Sequence, residues 1–477
     1  MTFNSAAFLV YLPVVFTIYW ILQKGSLCWQ NRFVLVASYF FYGWWDWRFL
    51  SLLAFSTTTD FLIGLWLEHA ENQGKRKNIL LLSLFLNLGL LGFFKYFNFF
   101  AESFVSLAHL AGWKVSPLTL SVILPVGISF YTFQSLSYTI DVYRKQIPAV
   151  RDFSAFAAFV SFFPQLVAGP IERAKHLLPQ FLVRRRFDYD LAMSGCRFIL
   201  WGFLKKVVLA DNLAPVVQRV FDHPDHQNGW TVAFGTVCFA VQIYGDFSGY
   251  SDIAIGAARL FGFDLMQNFR APYFATSVRE FWQRWHISLS TWFRDYVYIP
   301  LGGNRAGIRA QLCNLLITFV LSGLWHGAKW TFVVWGCWHG LLVCLEIIYP
   351  VRWRIEGRSG EVLRGIVVFM LVCTGWIFFR ANDISVAWIM LTKLTYFPIE
   401  GLAMVPALFH SPAKMFASGL LVSAFFAIEW LCRQSDPDAF FRSLPAPIRI
   451  ATYYLMLGII LFSGAFDDAP VFIYFQF

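Results

Sequence analysis

Charged residues are scarce in this chain: they make up 14% of 477 residues, where a soluble domain carries about 25%. With 58% hydrophobic residues and a mean hydropathy of +0.57, that scarcity excludes an ordinary soluble globule. The eight cysteines fall mostly inside apolar stretches, without a CxxC pair or a framework spacing, which removes a disulfide scaffold and a zinc site. There is no GxSxG elbow, no GxxxxGK phosphate loop, no HExxH and no GxGxxG opening a βαβ unit, so serine-hydrolase, NTP-driven and zinc-protease mechanisms lose support. Repeats of fixed period, low-complexity linkers and a second soluble domain are also missing. Basic residues exceed acidic ones by ten, but in short clusters between apolar runs, a pattern of orientation by the membrane rather than of nucleic-acid binding.

What is present is a succession of apolar runs, at 6–22, 33–42, 49–67, 79–94, 122–140, 198–209, 232–243, 315–324, 330–348, 366–379, 416–431 and 450–462. At about 20 residues per span the chain holds roughly 10 to 13 membrane segments. Several runs are too short to span alone, which predicts re-entrant or broken helices covered by protein or a water-filled cavity. The expected architecture is therefore an all-α polytopic integral membrane protein with one domain over residues 1–477. No basic residue precedes the first run and no small-residue cleavage site follows it, so it is expected to stay as the first span. Lys24 and Arg32, then Lys75, Arg76 and Lys77, mark two loops that the positive-inside rule puts in the cytoplasm, leaving the N-terminus outside. Arg184, Arg185 and Arg186 read as a further marker near lipid headgroups. Trp44, Trp45 and Trp47 beside Asp46 suit an interfacial belt, and residues 351–364 and 437–447 read as connectors.

Polar residues inside apolar runs carry the chemistry. From Gln242 to Asp252, Asp246 and Asp252 sit beside Gly245 and Gly249. Two carboxylates at membrane depth need partners or water. They either cap a helix break and pair with nearby arginines, or form a cavity wall. From Arg279 onward, Trp282, Trp285, Leu289, Trp292 and Phe293 recur at helical spacing, as in an amphipathic interfacial helix, with His286 beside the stripe. That position leaves His286 open between an interfacial histidine and a site residue. His326 and His339 lie in long apolar runs as Trp325-His326-Gly327 and Trp338-His339-Gly340. On one continuous helix they would face about 220° apart, so they are not expected to act as a pair. Gly323 and Gly327 would admit a substrate or another backbone beside His326, whereas His339 reads as a packing residue. A neutral buried imidazole can serve as general base for a hydroxyl nucleophile, or simply hydrogen-bond across helices.

At these residues the sequence resembles the membrane-bound O-acyltransferase superfamily, and within it the bacterial alginate O-acetylase-like branch. The matching features are Gly169-Pro170-Ile171-Glu172-Arg173, the stretch Tyr244 to Asp252, Trp285-His286 leading to Pro300-Leu301-Gly302-Gly303-Asn304, Leu321 to Ala328, and the closing Phe472-Ile473-Tyr474-Phe475-Gln476-Phe477. The resemblance implies that His326 takes the family's essential histidine position and His286 the second position. It implies spans arranged around a central funnel and acetyl-CoA as a cytoplasmic acyl donor, with no bound cofactor. The implied acceptor is an extracytoplasmic polysaccharide such as alginate, reached directly or through an exported partner transferase of SGNH type in a bacterial inner membrane. His286, or a nearby donor such as Asn304 or Arg294, would stabilise the oxyanion, and Trp325 and Asp246 complete the candidate substrate-binding set. Arg184 to Arg186 could attract the coenzyme A phosphates. Peptidoglycan and cellulose fit as acceptors too. A transporter or flippase relaying protons through the same His and Asp residues is the main rival, and a non-catalytic scaffold is a third reading.

Overall fold

The computed structural model describes residues 1–116, 118–167, 169–349, 357–433, 436–466 and 472–473. Part of the Arg-containing stretch 351–364 and most of the closing motif, from Tyr474 to Phe477, lie outside the described residues. Every regular element among the described residues is helical. Among the described residues, eight stretches are long and apolar enough to cross a membrane: Ala6–Lys24, Leu27–His69, Gln73–Leu110, Ile308–His326, Trp330–Ile348, Arg358–Arg380, Pro412–Leu431 and Ala446–Ser463. This is a multi-pass membrane protein.

The twelve apolar runs reduce to these eight because 33–42 and 49–67 merge and 122–140, 198–209 and 232–243 lie in helices outside this set. Leu27–Asp46 runs into Leu50–His69 through a single 3-10 turn, and Gln73–Leu91 into Phe97–Leu110 through the π-turn Gly92–Tyr96, so four helices make two stretches of 43 and 38 residues. Ile128–Tyr143 is 16 residues long and polar, yet almost wholly buried. Its hydropathy is low because it meets protein rather than lipid.

Of the two readings of 242–252, the helix break does not hold. Gly229–Leu260 is one helix of 32 residues. Gly245 and Gly249 serve close packing instead: a Cβ on Gly249 would lie 2.7 Å from the Gly202 carbonyl oxygen, and one on Gly245 3.1 Å from that of Lys205. The partners of Asp246 and Asp252 are lysines rather than arginines.

Contacts divide the chain into two compact units, Met1–Cys196 with Ala254–Met266, and Arg197–Ile253 with Gln267–Phe477. In the first, Arg185 lies inside. Its guanidinium donates to Tyr19 Oη, to Asn31 Oδ1 at 2.7 Å and to the Gln180 carbonyl at 2.8 Å, and it packs 4.6 Å from the Phe263 ring. Arg184 is drawn to the Gln23 carbonyl at 2.8 Å, so the three arginines do not form one cationic patch. Arg76 is likewise buried and donates to the carbonyls of Leu67, Val142 and Tyr143. Glu172 is fully buried, accepts from the Met266 N–H and sits 2.8 Å from His176 Nδ1, and this hydrogen bond holds the His176 pKa above the usual histidine value.

Candidate active site

The residue types around His326 dictate how its two helices meet. Ile308–His326 and Trp330–Ile348 are joined by three residues, and glycines remove the side chains between them. A Cβ on Gly323 would collide with the Phe332 carbonyl, and one on Gly336 with that of Phe319. Small residues at such a crossing let backbones touch, as membrane helix pairs require. Of the glycines beside His326, Gly323 thus admits another backbone, while Gly327 makes room for the Phe332 ring. His326 closes its helix, and Gly327 leaves it in extended conformation.

The stretch from Val278 to Phe293 is not one amphipathic helix. It is two seven-residue helices, Val278–Arg284 and Ile287–Phe293, broken at Trp285 and His286. The first is fixed by Ser277 Oγ accepting from the Glu280 N–H at 3.0 Å, while Glu280 Oε2 reaches back to the Thr276 N–H at 2.7 Å, one residue beyond the reach of an ordinary capping box. From the neighbouring helix, Glu346 Oε2 accepts from the Arg279 N–H at 3.1 Å. His286 stands at the break with φ +43° and ψ +55°, a left-handed conformation that costs a non-glycine residue about 1–2 kcal/mol. Asn268 holds it there: its carbonyl accepts from the Ile287 N–H at 2.9 Å, its Oδ1 accepts from Ser288 Oγ at 2.6 Å, and its Nδ2 donates to Ser251 Oγ at 3.1 Å.

That break turns the His286 ring inward. His286 is 0% exposed and His326 3% exposed, and their ring centroids are 6.2 Å apart at an interplanar angle of 54°. Phe247 meets His286 edge-on at 4.6 Å, and Trp335 and Phe379 pack on His326 at 4.9 and 5.4 Å. Trp325, 4% exposed, touches both histidines, at 5.9 and 5.0 Å. The result is an apolar box around two imidazoles, in which charge that develops during a reaction is weakly screened.

The other candidates are placed differently. Asp246 is held by Lys206 Nζ at 2.8 Å and by the Ile473 N–H at 2.8 Å, one residue before the Phe247 that packs on His286. Arg294 is largely exposed, pairs with Asp295 at 2.8 Å and lines a cavity of about 500 Å³ with Arg279, Gln283, Ser290, Thr291 and Ser322. Ile287, next to His286, and Ser322, one turn before His326, form part of its wall. Asn304 is exposed in the turn after Tyr298. His339 lies in a separate helix from His326, so the continuous-helix geometry does not apply. Trp335 stands against both, 4.9 Å from His326 and 5.1 Å from His339, and His339 packs among Phe281, Trp282 and Trp376.

Two features escaped the sequence reading. Lys205 and Lys206, consecutive on the π-turn Leu204–Ala210, are buried and each bridges two carboxylates: Lys205 meets Asp252 at 3.0 Å and Glu429 at 3.3 Å, and Lys206 meets Asp211 and Asp246 at 2.8 Å each. Paired lysines in the apolar run 198–209 were the available signal. Asn268 carried none. Replacing Asn268 with Leu is expected to leave protein levels intact and lower turnover by about ten- to a hundredfold with little change in KM, because His286 loses its anchor. Steady-state kinetics on purified protein measure that split.

A helical, multi-pass protein that buries two histidines together in an aromatic box has the makings of a membrane-embedded group-transfer enzyme. Residues 144–355 match the membrane-bound O-acyltransferase family. The chain is 42% identical to the probable alginate O-acetylase of Azotobacter vinelandii, over 83% of this chain and 78% of that protein. It is 35% identical to the peptidoglycan O-acetyltransferase of Helicobacter pylori, over 81% and 78%, and 26% identical to the teichoic acid D-alanyltransferase of Bacillus subtilis, over 54% and 69%. The chain belongs to the membrane-bound O-acyltransferase family and is an acyltransferase.

Proposed function

We propose that the protein takes acetyl from cytoplasmic acetyl-CoA and delivers it for O-acetylation of an extracytoplasmic polysaccharide of alginate type. The observation that carries the mechanism is the buried pair His286 and His326, 6.2 Å apart. His326 accepts the proton of the acceptor hydroxyl as its oxygen attacks the thioester carbonyl. His286 donates to the oxyanion that forms. The tetrahedral centre then collapses, the C–S bond breaks, and the proton held by His326 passes to the thiolate of coenzyme A. Trp325, touching both rings, fixes their angle. Arg294 and Arg279, on the wall of the 500 Å³ cavity, supply positive charge for the donor's phosphates.

On this reading the chain lies in a bacterial inner membrane with its N-terminus outside, and an exported SGNH-type transferase passes acetyl to the polymer. Identity to the alginate O-acetylases favours that acceptor, and the 35% identity to a peptidoglycan O-acetyltransferase makes peptidoglycan the second reading. Sealed vesicles of opposite orientation test it. Labelled acetyl-CoA added outside inside-out vesicles should label acceptor in the lumen, and added outside right-side-out vesicles should not. Transfer only when donor and acceptor share one face would overturn the cross-membrane step.

A further inference from the structure

The first unit contains a polar cluster that acyl transfer does not use. Asp60, on the helix Leu50–His69, is 0% exposed in the middle of an apolar stretch. Its Oδ1 accepts from Ser83 Oγ at 2.8 Å and from Asn87 Nδ2 at 3.0 Å, and its Oδ2 accepts from Asn87 Nδ2 at 2.9 Å. Ser83 Oγ is also 3.1 Å from Thr139 Oγ1, and Ser56 Oγ donates to Asn87 Oδ1 at 3.1 Å. Ser135, fully buried, turns its hydroxyl to Asp60 without a well-formed hydrogen bond. Three helices, Leu50–His69, Gln73–Leu91 and Ile128–Tyr143, meet here.

The side chains that hydrogen-bond this carboxylate, Ser83 and Asn87, are neutral. An ionised carboxylate at membrane depth is costly unless a positive charge lies beside it. Around it stand the hydroxyls of Ser83, Ser135 and Thr139 and the Asn87 amide, which faces the carboxylate with its nitrogen; with that amide turned over, the set is all oxygen, as a hard cation requires. One carboxylate balances one positive charge. Mg²⁺ or Ca²⁺ would leave the site net positive in a low-dielectric interior, whereas a monovalent ion leaves it neutral.

We propose that Asp60, Ser56, Ser83, Asn87, Ser135 and Thr139 form a Na⁺ site that ties these three helices together. Turning the Asn87 amide over directs its oxygen to the ion, a rotation that exchanges the two ends of the group. The ion binds the folded unit only and stabilises it by mass action.

The test uses the full chain purified in detergent, as wild type and as Asp60→Asn, which keeps the shape and removes the charge. Thermal midpoints are measured in NaCl, KCl and choline chloride at constant ionic strength and pH. The wild-type midpoint should rise saturably with Na⁺, by roughly 3 °C or more, and the Asp60→Asn midpoint should not follow it. A wild-type midpoint indifferent to Na⁺ overturns the proposal, as does an equal rise in Asp60→Asn. A midpoint that follows pH while ignoring Na⁺ assigns the site to a proton and also overturns it. Should Asp60→Asn fail to fold, Ser135→Ala reads the same site: it should shift the Na⁺ midpoint concentration about tenfold upward, and an unchanged concentration counts against the site.

Discussion

Membranes carrying His326→Ala should contain the protein at wild-type level and transfer acetyl from labelled acetyl-CoA about 10²–10⁴-fold more slowly. The size follows from what the imidazole is asked to do. A hydroxyl is a poor nucleophile at neutral pH, and without a base at the reacting oxygen the attack depends on water, which the aromatic box keeps away. Folding should tolerate the change. His326 ends its helix, and the close crossing with Trp330–Ile348 rests on Gly323 and Gly336 rather than on the imidazole. His286→Ala should cost less, about 10–10²-fold, because it removes a stabilising donor and leaves the base in place. Radiolabel transfer in membranes with matched protein levels measures both, and activity within a few-fold of wild type for His326→Ala would remove it from the mechanism. His339→Leu serves as a contrast: it alters packing against Trp335 without touching His326 directly, so its loss should follow thermal stability rather than turnover.

The membrane spans were legible because lipid imposes a simple rule: a long helix facing hydrocarbon must be apolar along its length. Where a helix faces protein that rule lapses. Ile128–Tyr143 and Gly229–Leu260 carry Asp141, Asp246 and Asp252, and neither ranks among the apolar stretches. Glycine is ambiguous in the same way. Gly245 and Gly249 suggested a break but mark close contact with Lys205 and Gly202. At the candidate site, His326 stood out in its apolar run with flanking glycines. The position of His286 could not be found from periodicity, since the tryptophan stripe around it fits a continuous helix. A long-range hydrogen-bond set from Asn268 breaks that helix and bends His286 into left-handed geometry. The cost of that conformation is met by contacts distant in sequence, and no local pattern announces it.

Lys206→Met should be the most destabilising single substitution outside the histidine box. Its ammonium lies between Asp211 and Asp246 with 1% of its side chain exposed, and removing it leaves two carboxylates facing each other in the interior. Breaking a buried pair in this way costs about 3–5 kcal/mol, because the surviving charge keeps its desolvation penalty and loses its partner. Nearby charge does not rescue it. Lys205 is already shared between Asp252 and Glu429, whose Oε2 also accepts from Tyr244 Oη at 2.6 Å. Detergent-solubilised Lys206→Met should therefore unfold many degrees below wild type, or fail to accumulate. Adding Asp246→Asn to Lys206→Met should restore part of that loss by removing one stranded charge, whereas two independent penalties would simply add. The double variant should remain slow in transfer even where it is folded. Asp246 directly precedes Phe247, whose ring lies 4.6 Å from His286, so loosening Asp246 frees the ring packed on that imidazole. Recovery of stability without recovery of turnover would place the lysine network in the positioning of the histidine pair. Recovery of both together would confine it to folding.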